Sequence, residues 1–468
     1  MNRYASAAYQ LAPVWCQNLM LSGYGAMLER ERYRGRFAEF RDLLAKTERW
    51  SRADLESYQD ERLRELVAHA YSTVPFYRRR FDELRLTPAD IRGRADLPKL
   101  PLLTKDDIRR HFEQLRSTAF PGKAMRTGHT SGTTGTPLTV GYDQDTVWMT
   151  YAVFDRHYRW ANLRLARDGD RIAVARGNVI VPLAQKGPPF WRYNRQQNQM
   201  LLSSFHLSRQ NLPAYFEALA NFKPAVLDGY PSTLYLLAKY LQGRGETFPL
   251  RAAVTSSETL YEFQREAIER SFECQVFDYF ALAERAVFSG ECDRHEGHHV
   301  AMEYGLVEVT NERGQPLPRG QVGRLVGTTL HNRAMPLLRY ATNDMTALRP
   351  GACSCGRSLE LMEDVTTKAE DVLTLKDGRL ISPSVLTHPF KPLDCIDGSQ
   401  IVQTAPDAVT VRLIPGERYT EAMTQHLKTE LQARLGSDVR IDIVFVDALE
   451  TSANGKFKWV ISRVPLGL

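Results

Sequence analysis

Residues 172–284 alternate short apolar runs with amphipathic segments, and this alternation restricts the possible fold more than any other feature of the chain. The apolar runs include 225–227 and 252–254, and the amphipathic segments include 232–241 and 261–272. Runs this short, separated by segments of helical period, are typical of buried strands that are covered by helices. The sequence therefore predicts a layered α/β architecture.

The regions on either side have a different character. Residues 1–118 are rich in Arg, Glu, Leu and Tyr, and apolar residues between 63 and 70 share one helical stripe, which predicts a helical N-terminal region. Residues 305–330 carry Gly- and Pro-rich turns between β-type runs, which predict a smaller β-rich subdomain.

The last hundred residues read as an independent unit. Strand-like runs at 400–403, 409–413 and 439–446 surround a helical segment at 419–435. Four apolar residues recur there every fourth position and predict one face that packs on a small sheet: Met423, Leu427, Leu431 and Leu435.

Charge and hydropathy exclude several classes of protein. The 61 basic and 55 acidic residues of the 468-residue chain leave a formal charge of only +6, so nucleic acid binding is not implied. No apolar run reaches the ~18 residues of a membrane span, and polar residues interrupt the N-terminus, so we expect a cytoplasmic protein without a span. The basic run at 30–36 is interpreted as a solvated face, with a phosphate or membrane surface as the alternative.

A segment of small hydroxyl residues and glycines carries the strongest chemical signal. Glycines let backbone amides approach phosphate oxygens, and hydroxyls add donors without bulk, so the segment predicts a phosphate-binding loop. It is not the P-loop of nucleoside triphosphatases, because no lysine follows Gly135. A polar surface turn is the alternative, which the density of Thr and Gly disfavours. The loop residues are Thr130, Ser131, Gly132, Thr133, Thr134 and Gly135.

This loop resembles the phosphate-binding signature of the adenylate-forming superfamily of acyl-CoA synthetases, luciferases and peptide-synthetase adenylation domains. Residues 278–284 are similar to its next element, and the resemblance implies that Tyr279 and Phe280 contact the nucleotide and that Glu284 holds Mg²⁺. Phe280 and Ala281 stand where tyrosine and glycine are usual.

Three later elements follow in the family order. Residues 339–344 resemble its Arg-Tyr-x-Thr-Gly-Asp element, which makes Asp344 the acceptor for the ribose hydroxyls. Lys368 stands where an arginine normally opens the hinge and is assigned to the nucleotide, with Glu370 at the hinge itself. Residues 451–456 match the terminal Gly-Lys element, which makes Lys456 the catalytic lysine.

Three further segments indicate which branch of the superfamily the chain resembles. Residues 73–77, 227–232 and 256–258 look like the phenylacetate-CoA ligase group and its capsule-locus relatives. This likeness implies that Ser257 and Glu258 lie against adenine. It also implies that Phe205 and Tyr230 face the acyl pocket, although a tyrosine after glycine is more often a core residue.

The resemblance implies a large ATP- and acid-binding domain at 1–366, a hinge at 367–371 and a small, mobile α+β domain at 372–468 that carries Lys456. The implied reaction activates a carboxylic acid, expected to be aromatic, to an acyl-adenylate with ATP and Mg²⁺, and transfers the acyl group to coenzyme A. An amine acceptor is an alternative, as is a non-catalytic nucleotide-binding relative. A phosphotransferase would need a base or acceptor that no motif supplies.

Cysteines and histidines form a second constellation. Cys292 stands near His295, His298 and His299, and a Cys-Ser-Cys-Gly segment follows some fifty residues later. Thiolates and imidazoles in two short clusters can form a tetrahedral zinc site where the fold brings them together. By the family likeness, the expected ligands of a structural Zn²⁺ are Cys292, His299, Cys353 and Cys355. The alternative is free thiols with surface histidines.

Overall fold

The computed structural model describes residues 8–120, 125–129, 138–165, 169–176, 180–182, 185–203, 206–207, 210–368, 373–376, 380–381, 386, 389–390, 393, 396–450 and 458–464. The predicted helical N-terminal region is confirmed. Its helices are α1 (Val14–Tyr33), α2 (Phe37–Thr47), α3 (Arg52–Thr73), α4 (Pro75–Glu83) and α5 (Lys105–Leu115).

Helix α3 shows how local sequence and packing act together. Ser51 Oγ accepts from the Asp54 amide at 3.1 Å, and the Asp54 carboxylate accepts from the Ser51 amide at 3.3 Å. This reciprocal capping box satisfies amides that the first turn would leave unpaired. The predicted apolar stripe between residues 63 and 70 is buried in the main core, so α3 fixes the N-terminal region to the rest of the domain.

A short hairpin frames the predicted phosphate loop. Strands β1 (Arg126–His129) and β2 (Thr139–Tyr142) pair antiparallel, with His129 opposite Thr139, and helix α6 (Gln144–Trp160) follows. Asp143 caps α6 by accepting from the Thr146 amide at 2.8 Å, and it also accepts from the Arg333 amide at 2.8 Å. Residues 130–137 between the strands lie outside the described part of the chain.

The predicted α/β alternation forms the centre of the molecule. In chain order its strands are β3 (Ile172–Ala175), β4 (Trp191–Asn194), β5 (Gln199–Leu202), β6 (Val226–Gly229), β7 (Ala252–Ser256), β8 (Gln275–Ala281), β9 (Phe288–Glu291) and β10 (His298–Val300). Its helices are α7 (Leu212–Phe222), α8 (Pro231–Arg244) and α9 (Glu262–Phe272).

The β-rich subdomain follows at the predicted place. Its strands are β11 (Gly305–Thr310), β12 (Gly323–Thr329), β13 (Tyr340–Thr346) and β15 (Thr366–Lys368), which form an antiparallel sheet in that order. Strand β14 (Leu361–Met362) belongs instead to the central sheet, whose order is β14-β10-β9-β8-β7-β6-β3-β5-β4. Its middle strands, β5, β3, β6, β7 and β8, are parallel.

Both faces of the central sheet are buried, which explains why its parallel strands β3, β6 and β7 begin with runs of consecutive apolar residues. Leu227 and Val276 pack with α7, α8 and α9 on one face. Their neighbours Val226 and Phe277 pack with α2 and α6 on the other. The alternation of side chains along each strand thus divides the core into two layers around one sheet.

The C-terminal region contains the small sheet and helix that the sequence predicts. Strands β16 (Leu373–Thr374) and β17 (Leu380–Ile381) pair with each other. A second sheet has the order β20-β19-β18-β21 and carries helix α10. The bounds are β18 (Ile396–Ala405), β19 (Ala408–Pro415), α10 (Glu421–Leu435), β20 (Arg440–Phe445) and β21 (Val460–Ser462).

Two details of this region differ from the sequence-based expectation. Leu427, Leu431 and Leu435 are fully buried on the small sheet, whereas Met423 at the first turn is only partly covered. Strand β21 was not predicted, because a three-residue strand that pairs in parallel with β18 leaves too short a pattern to detect.

Within the described ranges, no helix combines the length and apolar character needed to cross a bilayer.

Candidate active site and metal centre

The carboxyl ends of the parallel strands define the candidate active site. Strands β3, β6, β7 and β8 end at neighbouring positions of one sheet edge, at Ala175, Gly229, Ser256 and Ala281. Ligands of open parallel sheets bind outside this edge. Most of the described residues that the sequence assigns to nucleotide or acid lie on or just after these ends.

Arg176 organises the polar groups at this edge, and sequence reasoning missed it. Its guanidinium forms a salt bridge with Asp228, donates to Ser256 Oγ at 2.9 Å and donates to the Tyr279 hydroxyl at 2.9 Å. Asp228 also accepts from the Tyr158 hydroxyl at 2.8 Å. An arginine directly after an apolar strand carries no sequence signal of its own, because only the fold brings Asp228 and Tyr279 to it.

The predicted adenine and acyl residues adjoin this network. Ser257 follows Ser256, is exposed, and has a left-handed φ of +73°, a conformation that costs a non-glycine residue roughly 1–2 kcal/mol. Backbone strain of this kind clusters at functional sites. Tyr230 lies half-buried at the start of α8, with its ring centroid 5.9 Å from the guanidinium carbon of Arg176. Glu258 is half-buried beside Ser257.

A second group of predicted residues meets around Tyr340. Glu284 is buried after β8 and accepts a hydrogen bond of 2.5 Å from the Tyr340 hydroxyl. Burial, and then the charge of Glu284, raises the pKa of Tyr340 well above the ordinary value for a phenol. Four residues later on the same strand, Asp344 is paired across the sheet with Lys368 of β15. The fold therefore brings Glu284 against strand β13, which also carries Asp344 and pairs with the backbone of Lys368.

Several predicted site residues fall outside the described part of the chain. These are the six loop residues 130–135, Phe205, Glu370 and Lys456. Phe280 is described and half-buried on β8, next to Tyr279. The predicted hinge at 367–371 begins inside strand β15, which ends at Lys368.

The four predicted metal ligands do come together. The sulfurs of Cys292 and Cys353 are 3.7 Å apart, and His299 Nε2 is 3.3 Å from the sulfur of Cys292 and 3.4 Å from that of Cys355. All four ligand atoms lie within 4.8 Å of one another. A tetrahedral Zn²⁺ with ordinary bond lengths requires S···S of about 3.8 Å and S···N of about 3.5 Å, and the three distances above are close to these values.

The surroundings of the cluster act on its ligands in opposite directions, since burial raises the pKa of the Cys292 and Cys353 thiols while nearby donors favour the thiolate. Backbone amides of Arg294, Cys355 and Arg357 each lie 3.4 Å from a cysteine sulfur, and such N–H groups stabilise thiolates. Burial, and then the positive charge of Arg357, lowers the pKa of His299 to about 3, so its imidazole is neutral. Burial opposes ionisation of Cys355, but the amide and side chain of Arg357 outweigh burial and lower the pKa of that thiol.

A second titratable cluster occupies the neighbouring positions of the same strands. Glu291, His298 and Asp364 bring their ligand atoms within 4.8 Å of one another, and His298 Nε2 is 3.6 Å from Asp278. The Arg265 guanidinium donates to Glu291 at 2.7 Å. Attraction to Asp364 and its neighbours outweighs burial and raises the pKa of His298 to about 9, so His298 is a cation like Arg265. The carboxylates next to the thiols thus already have cationic partners from the protein itself.

Comparisons with known proteins agree with this arrangement. The family model for the CapK C-terminal domain matches residues 373–463. The phenylacetate-coenzyme A ligase of Thermus thermophilus is 32% identical over 350 residues, covering 69% of this chain and 73% of that protein. Protein CapK of Staphylococcus aureus is 27% identical over 467 residues, covering 97% of this chain and 99% of that protein.

The fold has a solved counterpart. The crystal structure of 2-hydroxyisobutyryl-CoA ligase in the postadenylation state superposes with a TM-score of 0.71 at 20% identity, over 89% of this chain and 91% of that one. The layered α/β domain with a separate C-terminal domain is thus the fold of adenylate-forming CoA ligases. Fold and sequence relationships together establish that the chain belongs to the phenylacetate-coenzyme A ligase branch of the adenylate-forming superfamily.

Proposed function

We propose that the protein is an AMP-forming acid–thiol ligase, which activates an aromatic carboxylic acid with ATP and transfers the acyl group to coenzyme A. One observation carries the proposal beyond family membership. The buried Glu284 carboxylate follows β8 at the carboxyl end of the central sheet and accepts a hydrogen bond from Tyr340, and the half-buried Asp344 lies four residues after Tyr340 on β13. Burying a carboxylate costs free energy unless it has a charged or hydrogen-bonded partner. The burial of Glu284 is therefore consistent with a role in holding a cation.

In the first half-reaction the substrate carboxylate attacks the α-phosphate of ATP and pyrophosphate leaves. The roles assigned here are ribose binding for Asp344, adenine contacts for Ser257 and Glu258, and phosphate contacts for residues 130–135. Glu284 would hold Mg²⁺, which neutralises charge on the phosphates when it is bound. Lys456 would stabilise the charge that develops at the α-phosphate in the transition state.

In the second half-reaction the thiol of coenzyme A attacks the acyl carbonyl and AMP leaves. We assign the hinge between these steps to Glu370, because a rotation there removes Lys456 and opens a path for the thiol. The acid would lie between Tyr230, Phe205 and the Arg176 network. An ATP-dependent ligase with cysteines that form no disulfide among the described residues fits a cytoplasmic setting.

We also propose that Cys292, His299, Cys353 and Cys355 hold a structural Zn²⁺. Four protein ligands leave no open position for water, so the ion would brace the fold and take no part in chemistry. The strand register supports this separation. Gly290 pairs with Tyr279, so Cys292, two residues further on, lies level with the middle of β8, whereas the proposed active site lies beyond the carboxyl end of that strand.

The test is isotopic exchange between ATP and pyrophosphate over a panel of aryl and alkyl acids, followed by a thioester assay with coenzyme A. Acid-dependent exchange is expected, and Lys456→Ala should lower its rate by ~10²-fold or more because a transition-state charge contact is lost. Lys458→Ala, two residues away, is the matched control and should keep most of the rate.

Three results would contradict the assignments. Normal exchange by Lys456→Ala would remove the lysine from the mechanism. Exchange without thioester formation, but with amide formation from added amines, would replace coenzyme A as the acceptor. Absence of acid-dependent exchange across the whole panel would contradict the ligase function itself.

A further inference from the structure

Helix α1 is built with its polar face toward the protein and its apolar face toward solvent. Tyr193 donates its amide to Asn18 Oδ1 at 2.8 Å, Arg195 donates its amide to Ser22 Oγ at 3.1 Å, and Gln17 is almost fully buried. Gly25 completes this face, since a side chain there would collide with Asn194. Polar and small residues thus make the contact with the large domain.

The outward face carries large apolar side chains. Trp15 is 70% exposed and Leu19 is 65% exposed, although both are residue types that normally lie inside a protein. The outward apolar face consists of Leu11, just before α1, and on the helix of Trp15, Leu19, Met20, Tyr24 and Met27. At 1.5 Å per residue, the helical part from Trp15 to Met27 extends over about 18 Å. A set of exposed large apolar side chains of this size marks a binding surface.

The exposed charged residues at the C-terminal end of α1 are arginines. Residues 4–28 contain no charged side chain, and the first ones after them alternate between acids and arginines. The acids are used within the protein: Glu29 accepts from Gln196 Nε2 at 2.6 Å, and Glu31 forms a salt bridge with Arg126. Two arginines at this end, Arg30 and Arg34, are exposed.

The neighbouring arginines limit how far the basic region extends. Arg32 stacks over the Tyr151 ring at 4.5 Å, and Arg36 is salt-bridged to Glu39 and Asp145. Arg195, on the adjoining loop, is exposed beside the helix. The net result is an uncharged apolar face with an exposed basic rim made by Arg30, Arg34 and Arg195.

We propose that this face of α1 binds an anionic lipid bilayer surface, with the helix lying in the plane of the interface. Tryptophan and leucine on one side, with arginines at the level of the headgroups, are the features by which interfacial helices bind lipid. A second copy of the chain is the less suitable occupant. The exposed face offers no acidic side chain to pair with the arginines of a partner, whereas lipid phosphates neutralise them.

The test is co-sedimentation of the full chain with vesicles of equimolar phosphatidylglycerol and phosphatidylcholine. Binding is expected at low ionic strength, and it should weaken on addition of salt and in pure phosphatidylcholine. The Trp15→Ser, Leu19→Ser double variant should reduce the bound fraction by roughly tenfold, and Arg30→Gln with Arg34→Gln should reduce it several-fold at low salt. Val322→Ser, which changes an apolar residue that is 63% exposed elsewhere, is the matched control and should bind as the parent does.

Melting temperatures and ATP–pyrophosphate exchange of the variants separate loss of binding from loss of folding. The variant Arg30→Gln with Arg34→Gln is a second, independent test, because it leaves the apolar face unchanged. Absence of sedimentation with anionic vesicles would overturn the proposal. So would equal binding by the Trp15→Ser, Leu19→Ser variant. Self-association in light scattering that this variant abolishes, without vesicle binding, would assign the face to a second copy instead.

Discussion

At the scale of single residues, the residues of one motif contact residues of other motifs that are distant in the sequence. Glu284 and Tyr340 lie in different motifs but share one hydrogen bond, and Asp344 stands opposite Lys368 across a strand pair. The ion pair of Arg176 and Asp228 joins the ends of two parallel strands in the same way. These contacts hold the predicted site residues in fixed positions before any ligand arrives, which limits the ordering that binding requires.

Asp344→Ala should weaken nucleotide binding, because the carboxylate is assigned to the ribose hydroxyls and has no assigned contact with the acid. Loss of hydrogen bonds to a charged group predicts a decrease of about 1.5–3 kcal/mol in ATP binding free energy. Calorimetric titration with ATP measures it. Asp442→Ala, at an exposed aspartate of the C-terminal sheet, is the control and should leave the affinity unchanged. ATP affinity equal to the parent's in Asp344→Ala would exclude the ribose role.

At the scale of elements, the cysteine cluster lies at one edge of the central sheet. Cys292 follows β9, His299 lies in β10, and Cys353 and Cys355 lie in the loop that leads to β14. The three strands are neighbours, but β10 and β14 share only a two-residue register. A strand pair this short contributes little stability. A metal that joins the loop to both strands would therefore supply much of the stability of this sheet edge.

The expected result is about one equivalent of zinc per chain in protein prepared without chelator. Cys353→Ser together with Cys355→Ser should remove the zinc and lower the melting temperature, while the exchange rate per folded molecule is retained. Elemental analysis and thermal unfolding measure the two effects. Cys16→Ser with Cys274→Ser changes two thiols outside the cluster and is the control. An unchanged melting temperature with no zinc would show that the cysteines are free thiols.

At the scale of the whole molecule, aromatic residues form a contact between the large domain and the C-terminal region. Tyr261, at the start of α9, lies 5.2 Å from the Trp459 ring, and Phe390 lies 5.3 Å from the same ring. Trp459 is buried and stands three residues after Lys456 in the chain. A rotation of the C-terminal domain would have to break this contact, so the contact favours one domain arrangement over others.

Tyr261→Ala should therefore affect the two half-reactions differently. We expect ATP–pyrophosphate exchange to decrease several-fold, because an aromatic pair contributes roughly 0.5–1.5 kcal/mol beyond the area it buries and this stabilises only the arrangement in which it forms. Thioester formation from a preformed acyl-adenylate should be retained. Tyr419→Ala removes an aromatic partner of Phe445 within the C-terminal domain and is the matched control. An equal decrease in both half-reactions would indicate general destabilisation.

The order of the motifs and the apolar periodicities were sufficient to predict the α/β layers, the β-rich subdomain, the small C-terminal sheet and the family. These features depend on local patterning, because strand burial and helix amphipathicity are recorded in residues that are close in sequence. The cysteine and histidine spacing likewise suggested the four-ligand cluster, since each half of it is a short local motif.

Only the tertiary structure revealed Arg176 at the strand ends, the Tyr340 bond to Glu284, the ion network around His298 and the outward apolar face of α1. Each of these depends on groups that are distant in sequence, or on which side of a helix is covered. The α1 sequence shows an apolar helix, and burial would be the ordinary expectation for its tryptophan and leucines. Their exposure follows from the hydrogen bonds that Asn18 and Ser22 make with β4 and the loop after it, which turn the opposite face toward solvent.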